Sequence, residues 1–87
     1  MIKTQFDKSF TKDSRRLQAG TKRKLAERLR LFVETPFHPL LNNHALKGNY
    51  AGLRSINITG DYRAIYQPTG TNIALFIYID THSNLYE

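Results

Sequence analysis

Leu53-Arg54-Ser55-Ile56-Asn57-Ile58-Thr59-Gly60-Asp61-Tyr62-Arg63-Ala64-Ile65-Tyr66-Gln67-Pro68-Thr69-Gly70-Thr71-Asn72-Ile73-Ala74-Leu75-Phe76-Ile77-Tyr78-Ile79 is the stretch that decides the fold. Leu53–Ile58 alternates, with Arg54, Ile56 and Ile58 on one side and Leu53, Ser55 and Asn57 on the other, the period of a half-buried strand. Thr59-Gly60-Asp61 is turn chemistry. Tyr62–Gln67 alternates again, setting Tyr62, Ala64 and Tyr66 against Arg63, Ile65 and Gln67. Residues 68–72 read as a second hairpin loop. Ile73–Ile79 is apolar throughout, which predicts a strand buried on both faces and central in its sheet. Its odd positions (Ile73, Leu75, Ile77, Ile79) suit a helix-packed face, with Ala74, Phe76 and Tyr78 on the other.

Upstream, Ile2–Phe6 alternates as a short strand. Ser9 or Thr11 can cap a following helix that runs to about Ala19, where Gly20 breaks it. Thr21 then caps a second helix whose Leu25, Leu29, Phe32 and Val33 form one apolar stripe. Thr35-Pro36 ends it, because the residue before proline resists helical geometry. Residues 36–52 are a loop region with two prolines, two glycines, Asn42-Asn43, His38 and His44. The order is β-α-α-β-β-β: an α+β domain in which a helical hairpin packs on one face of a small, mainly antiparallel sheet. The opposite face stays partly open, and Asn57 points there by parity, flanked by the loop with His44 and the tail with His82.

Eighty-seven residues make a single domain, 1–87. There is no cysteine, which excludes disulfides and thiolate chemistry. No run is long enough to span a bilayer and the N-terminus lacks the apolar block of a signal peptide, so a soluble cytoplasmic domain is expected, with no membrane partner. The net charge of +6 is carried entirely by residues 1–34, where ten bases face four acids. A basic surface of that density attracts a phosphate backbone or an acidic protein.

His44-Ala45-Leu46-Lys47-Gly48, then Leu53-Arg54-Ser55-Ile56, then Asp61-Tyr62 followed by the Ile65-Tyr66 strand, then Thr81-His82-Ser83-Asn84-Leu85-Tyr86, together resemble the RelE/ParE toxin superfamily. Within it the chain is most similar to the YafQ-type branch of toxin–antitoxin mRNA interferases. The Thr-His-Ser-x-Leu-Tyr ending is the most diagnostic part. The resemblance implies a RelE-like fold and a ribosome-dependent endoribonuclease that cuts mRNA in the decoding site. It also implies neutralisation by a cognate antitoxin, acidic and partly disordered until it wraps the toxin. His44 matches the histidine of the family's His-x-Leu-x-Gly loop, Asp61 and Tyr62 its Asp-aromatic pair, His82 the histidine of the C-terminal motif, and Tyr86 the terminal aromatic. Asn57 stands where the branch commonly has a second site histidine, and Asp80 where it commonly has glycine.

The same residues suit RNA cleavage on chemical grounds. A base removes the 2′-OH proton, cationic donors stabilise the phosphorane, and an acid protonates the leaving 5′-oxygen. No metal or other cofactor is needed, and His38, His44 and His82 match no zinc-ligand spacing. Histidine serves as acid or base at neutral pH. His82 is assigned as the acid and His44 or Asp61 as the base, an assignment that can be reversed. Asn57 would hold a phosphate or 2′-OH by hydrogen bonding. Lys47, Arg54 and Arg63 are candidate phosphate clamps, and Tyr62 and Tyr86 offer faces for a splayed base.

Each has a structural alternative. Arg54 and Arg63 share strand parity with apolar residues and can equally anchor a loop or an ion pair. Tyr66 and Tyr78 suit packing, and His38 lies outside every motif. Two other functions fit the same fold: a ParE-like toxin that binds DNA gyrase without cutting, or a weakened relative that only binds RNA or the ribosome.

Overall fold

Lys3–Phe6 forms the first strand, β1, and the chain turns directly into helix α1, Lys8–Arg15. The turn is made by Asp7, whose carboxylate accepts the Ser9 backbone N–H at 3.0 Å and lies 2.6 Å from the Ser9 hydroxyl. Those Ser9 bonds, side chain first and backbone second, hold the Asp7 carboxyl below the ordinary carboxylate range. The cap is therefore Asp7, not Ser9 or Thr11. A carboxylate two residues ahead is the stronger acceptor for the first-turn amides.

Helix α1 ends earlier than the glycine rule predicts. Arg16 and Leu17 turn their amides to Asp13 and Ser14, and Gln18 is extended (ψ 156) before helix α2, Ala19–Glu34. Gly20 and Thr21 thus lie inside the first turn of α2. That turn has few intrahelical bonds to lose, so glycine's weak helix propensity does not stop it. Leu25 and Phe32 of the apolar stripe are buried, with Leu29 half-buried against them.

The structure is a computed structural model that describes residues 1–86, Tyr86 by its backbone alone. The remaining elements are β2 (His44–Ala45), β3 (Arg54–Asn57), β4 (Tyr62–Gly70), β5 (Ile73–Thr81) and a C-terminal helix, α3 (His82–Tyr86). Single 3₁₀ turns, Pro39–Leu41 and Gly48–Tyr50, flank β2. The five strands lie in the order β1-β5-β4-β3-β2, antiparallel except for β1 against β5. The domain is α+β with a mainly antiparallel sheet, as its sequence predicts, plus the short strand β2 and helix α3. The interior strands include β5, but β4 holds the middle position.

The hairpin between β4 and β5 is tighter than its composition suggests. Gly70 pairs with Ile73, so only Thr71 and Asn72 turn, and Asn72 takes the left-handed conformation (φ 60) that asparagine tolerates. Pro68 sits within β4, beyond the residues paired to β3, where its missing N–H faces no strand.

One feature of β5 reverses the predicted facing. Tyr66 pairs with Phe76 but Ile65 pairs with Tyr78, so Ile77 is an extra residue in the ladder. Ala74 and Phe76 therefore enter the helix-packed core before the bulge, and Ile79 enters it after. The phase cannot be read in a run with no polar residue to mark it.

Phe76 is fully buried, with ring centroids 5.5 Å from Phe10 of α1, 5.3 Å from Phe32 of α2 and 5.2 Å from Tyr66 of β4. It joins both helices to the sheet. Phe76→Ala is expected to cost about 3–5 kcal/mol, whereas Leu40→Ala, at a position 57% exposed, should change stability by roughly 0.5 kcal/mol or less. Urea unfolding of the two variants checks the contrast.

Candidate functional site

The helices cover Ile56, Ile58, Ala64, Tyr66 and Phe76, so the intervening residues face away from them. On that far face the register sets His44, Ser55, Ile65 and Tyr78 in one row across the sheet, and Asn57, Arg63 and Asp80 in the next. A cleft of about 340 Å³ opens there, lined by Asn42, His44, Arg63 and His82. Among the described residues its walls carry histidine, arginine and asparagine side chains. Two histidines 38 positions apart in the chain meet at one place.

His44 is held by the turn before it. Asn42 is left-handed (φ 45), and its carbonyl lies 2.8 Å from His44 Nδ1. A carbonyl only accepts, so Nδ1 carries the proton, and Nε2 of the neutral ring is the remaining acceptor. The neighbouring Asn43 fixes the loop to the core. Its amide nitrogen donates to the Pro36 carbonyl and to the Tyr66 hydroxyl, each at 2.9 Å, and its oxygen accepts from Arg54 Nε at 2.8 Å. Sequence reading sees Asn42-Asn43 only as loop composition; the pair is what aims His44.

His82 opens α3. Its backbone N–H donates to the Asp61 carbonyl at 2.8 Å, tying the helix to the β3–β4 turn. Asp80 accepts from the Thr81 N–H at 2.7 Å and from the Asn84 side chain at 3.0 Å, so its carboxylate braces the start of α3. Arg63 is half-buried and donates through one terminal nitrogen to the Thr59 carbonyl at 3.0 Å and the Tyr62 carbonyl at 3.1 Å. Its other donors remain for a ligand.

The remaining candidates divide. Asp61 is exposed in the turn and reaches His82 through its carbonyl, with its carboxylate outside the cleft wall. Tyr62 faces the helices, as its alternation with Arg63 requires, and lines a separate depression with Asp13, Arg16 and Asp80. It is not a platform in the histidine cleft. Arg54 is a loop anchor, bonded to Asn43 and lying 5.2 Å above the Phe37 ring centroid. Lys47 is exposed just before the Gly48–Tyr50 turn, away from the cleft-lining set. Asn57 is cross-strand neighbour to Arg63 but lines an adjoining cleft at the sheet edge. The Tyr86 side chain lies outside the described residues. His38 spends Nδ1 accepting the Leu40 N–H at 3.1 Å, and no group of three His, Cys, Asp or Glu side chains among the described residues is placed to hold a metal. No described helix is long and apolar enough to cross a membrane.

Residues 2–87 match the model of a family described as the bacterial toxin of type II toxin–antitoxin systems, YafQ. Solved structures of similar fold include YafQ from E. coli strain BL21(DE3), 21% identical over 100% of both chains with a TM-score of 0.80. A YoeB/ParE toxin from Agrobacterium tumefaciens is 27% identical over 93% of this chain and 99% of its own, with a TM-score of 0.75. The E. coli DinJ–YafQ complex matches at 22% identity over 100% of both chains, with a TM-score of 0.69. No curated protein sequence matches the chain.

Asn43→Ala removes three hydrogen bonds and leaves Tyr66 Oη and Arg54 Nε without that partner. A stability loss of about 1–3 kcal/mol is expected, together with a changed His44 ring environment in NMR spectra. An unchanged unfolding midpoint and unchanged His44 resonances would contradict the role given to Asn43.

Proposed function

The chain belongs to the YafQ family of type II toxin–antitoxin toxins, in the RelE/ParE superfamily, and from that premise we propose that it is an endoribonuclease that cuts mRNA on the ribosome. One observation carries the reading: His44, His82 and Arg63 line a single cleft. Cleavage by 2′-OH attack asks for that set, a proton acceptor, a proton donor and a cation at the phosphate.

His44 is the general base. Its Nδ1 proton is committed to the Asn42 carbonyl, so Nε2 takes the 2′-OH proton. His82, across the cleft in the sequence motif shared with the family, is the general acid that protonates the leaving 5′-oxygen. Arg63 offers paired N–H donors to the non-bridging oxygens, where negative charge accumulates. Asp61 supports His82 through the backbone bond to its carbonyl, and Tyr86 is the base platform that the family motif supplies. The reaction needs no metal and no cofactor.

Ribosomal RNA and mRNA are the polyanions that the basic first third of the chain suits. The protein partner is a cognate antitoxin, as in the E. coli complex of YafQ with DinJ. An acidic segment fits the charge of +6. The toxin acts in the cytoplasm, where its target is made.

Mapping of mRNA 5′ ends after induction checks the reading. The wild type should produce new ends within translated codons. His82→Ala and His44→Ala should each lower cutting by about 10²-fold or more, with ribosome association retained. Full cutting by either variant, or DNA damage with intact mRNA, would sink the proposal.

A further inference from the structure

A second cleft, about 330 Å³, lies beside the histidine cleft at the edge of the sheet. Strand β2 pairs only with Arg54 and Ser55, so the edge of β3 from Ile56 onward is not covered by another strand. The opening between that edge and α2 is lined by Lys24, Arg28, Leu40, Asn57, Thr59 and Gly60. Two cations line it, Arg28 and Lys24, the latter with its Nζ 3.8 Å from the exposed Glu27 carboxylate.

Two polar atoms of its lining residues are not satisfied within the protein. Arg28 Nε and Asn57 Oδ1 are both buried without a hydrogen-bond partner, a state that native folds seldom leave unexplained. Thr59 Oγ1 accepts the Asp61 and Tyr62 amides at 3.2 and 2.9 Å, which leaves its hydroxyl proton to donate. The donors Lys24, Arg28 and Thr59 call for an anion. The acceptor Asn57 Oδ1 calls for a hydroxyl or N–H on the same ligand. A ribonucleotide backbone carries both, phosphate oxygens and a 2′-OH, whereas a DNA backbone carries only the first.

Residues of the two linings are joined through the β3–β4 pairing. Asn57 is the cross-strand neighbour of Arg63, and the Thr59 carbonyl accepts from Arg63 Nη1 at 3.0 Å. Arg63 of the histidine cleft therefore adjoins Asn57 and Thr59 of this opening. We propose that the Lys24–Arg28–Asn57–Thr59 cleft is a subsite for the RNA backbone next to the cleavage site, taking a phosphate on Lys24 and Arg28 and a ribose 2′-OH on Asn57. The strand path rests on the cleavage reading above; binding at the subsite can be measured without any cleavage.

The test is binding of oligonucleotides to the isolated toxin in a His82→Ala background, by fluorescence anisotropy at several salt concentrations. Arg28→Gln should weaken a tetraribonucleotide about tenfold and leave a dinucleotide confined to the histidine cleft unchanged. Lys24→Gln, at an exposed position that folding does not depend on, should make the salt dependence shallower by about 0.7 in log–log slope. Asn57→Ala should reduce the preference for the tetraribonucleotide over its 2′-deoxy counterpart. Equal binding of both lengths by Arg28→Gln and its parent would overturn the subsite. So would a loss seen only with an acidic antitoxin peptide, which would assign the cleft to the protein partner. Intact mRNA in cells that express the toxin with His82 in place, alongside these binding changes, would fault the cleavage reading and leave the subsite standing.

Discussion

The stacking of Phe76 against Phe10, Phe32 and Tyr66 is the contact on which the other features depend. It fixes both helices to one face of the sheet and fills the space that a small domain has for a core. Tyr66 carries the constraint onward. Its ring packs 4.9 Å from Phe32 while its hydroxyl accepts from Asn43. Asn43 in turn holds the loop in which the Asn42 carbonyl sets the His44 tautomer. A core aromatic with one polar end thus connects hydrophobic packing to the placement of a candidate catalytic nitrogen.

The two faces of the sheet divide the labour. One is closed by helices, and the other carries the polar rows His44–Ser55–Ile65–Tyr78 and Asn57–Arg63–Asp80. Helix α3 is short and depends on ties at its start, one to the Asp61 carbonyl across the β3–β4 turn and two local ones, to the Thr81 hydroxyl and the Asp80 carboxylate. Those ties place His82 at the cleft. Asp80, a departure from the family's usual glycine, has a structural use here as a brace for the turn into α3.

Much of this was legible where polar residues marked a phase. Arg54-Ser55-Ile56-Asn57 and Tyr62-Arg63-Ala64-Ile65 alternate, and their facing is as their sequence predicts, including the inward turn of Tyr62 that removes it from the cleft. The uniformly apolar Ile73–Ile79 has no such marker, so the bulge at Ile77 was hidden. The helix boundary near Gly20 differs from the one its composition predicts because glycine in a first helical turn forfeits little. The motif histidines were visible in sequence, and so was the open face between the His44 loop and the His82 tail; that Arg63 rather than Asn57 lines their cleft depends on long-range pairing that no local pattern encodes. The roles of Asn42 and Asn43 were illegible for a similar reason: a loop asparagine looks the same whether it faces solvent or anchors to Tyr66 and Arg54.

A crystal structure of the His82→Ala protein with a bound tetraribonucleotide tests the central claim most directly. A backbone phosphate should lie within hydrogen-bonding distance of the Arg63 guanidinium, with the preceding 2′-OH beside His44 Nε2. RNA ordered only along the outer faces of α1 and α2, with no nucleotide between His44 and residue 82, would contradict it.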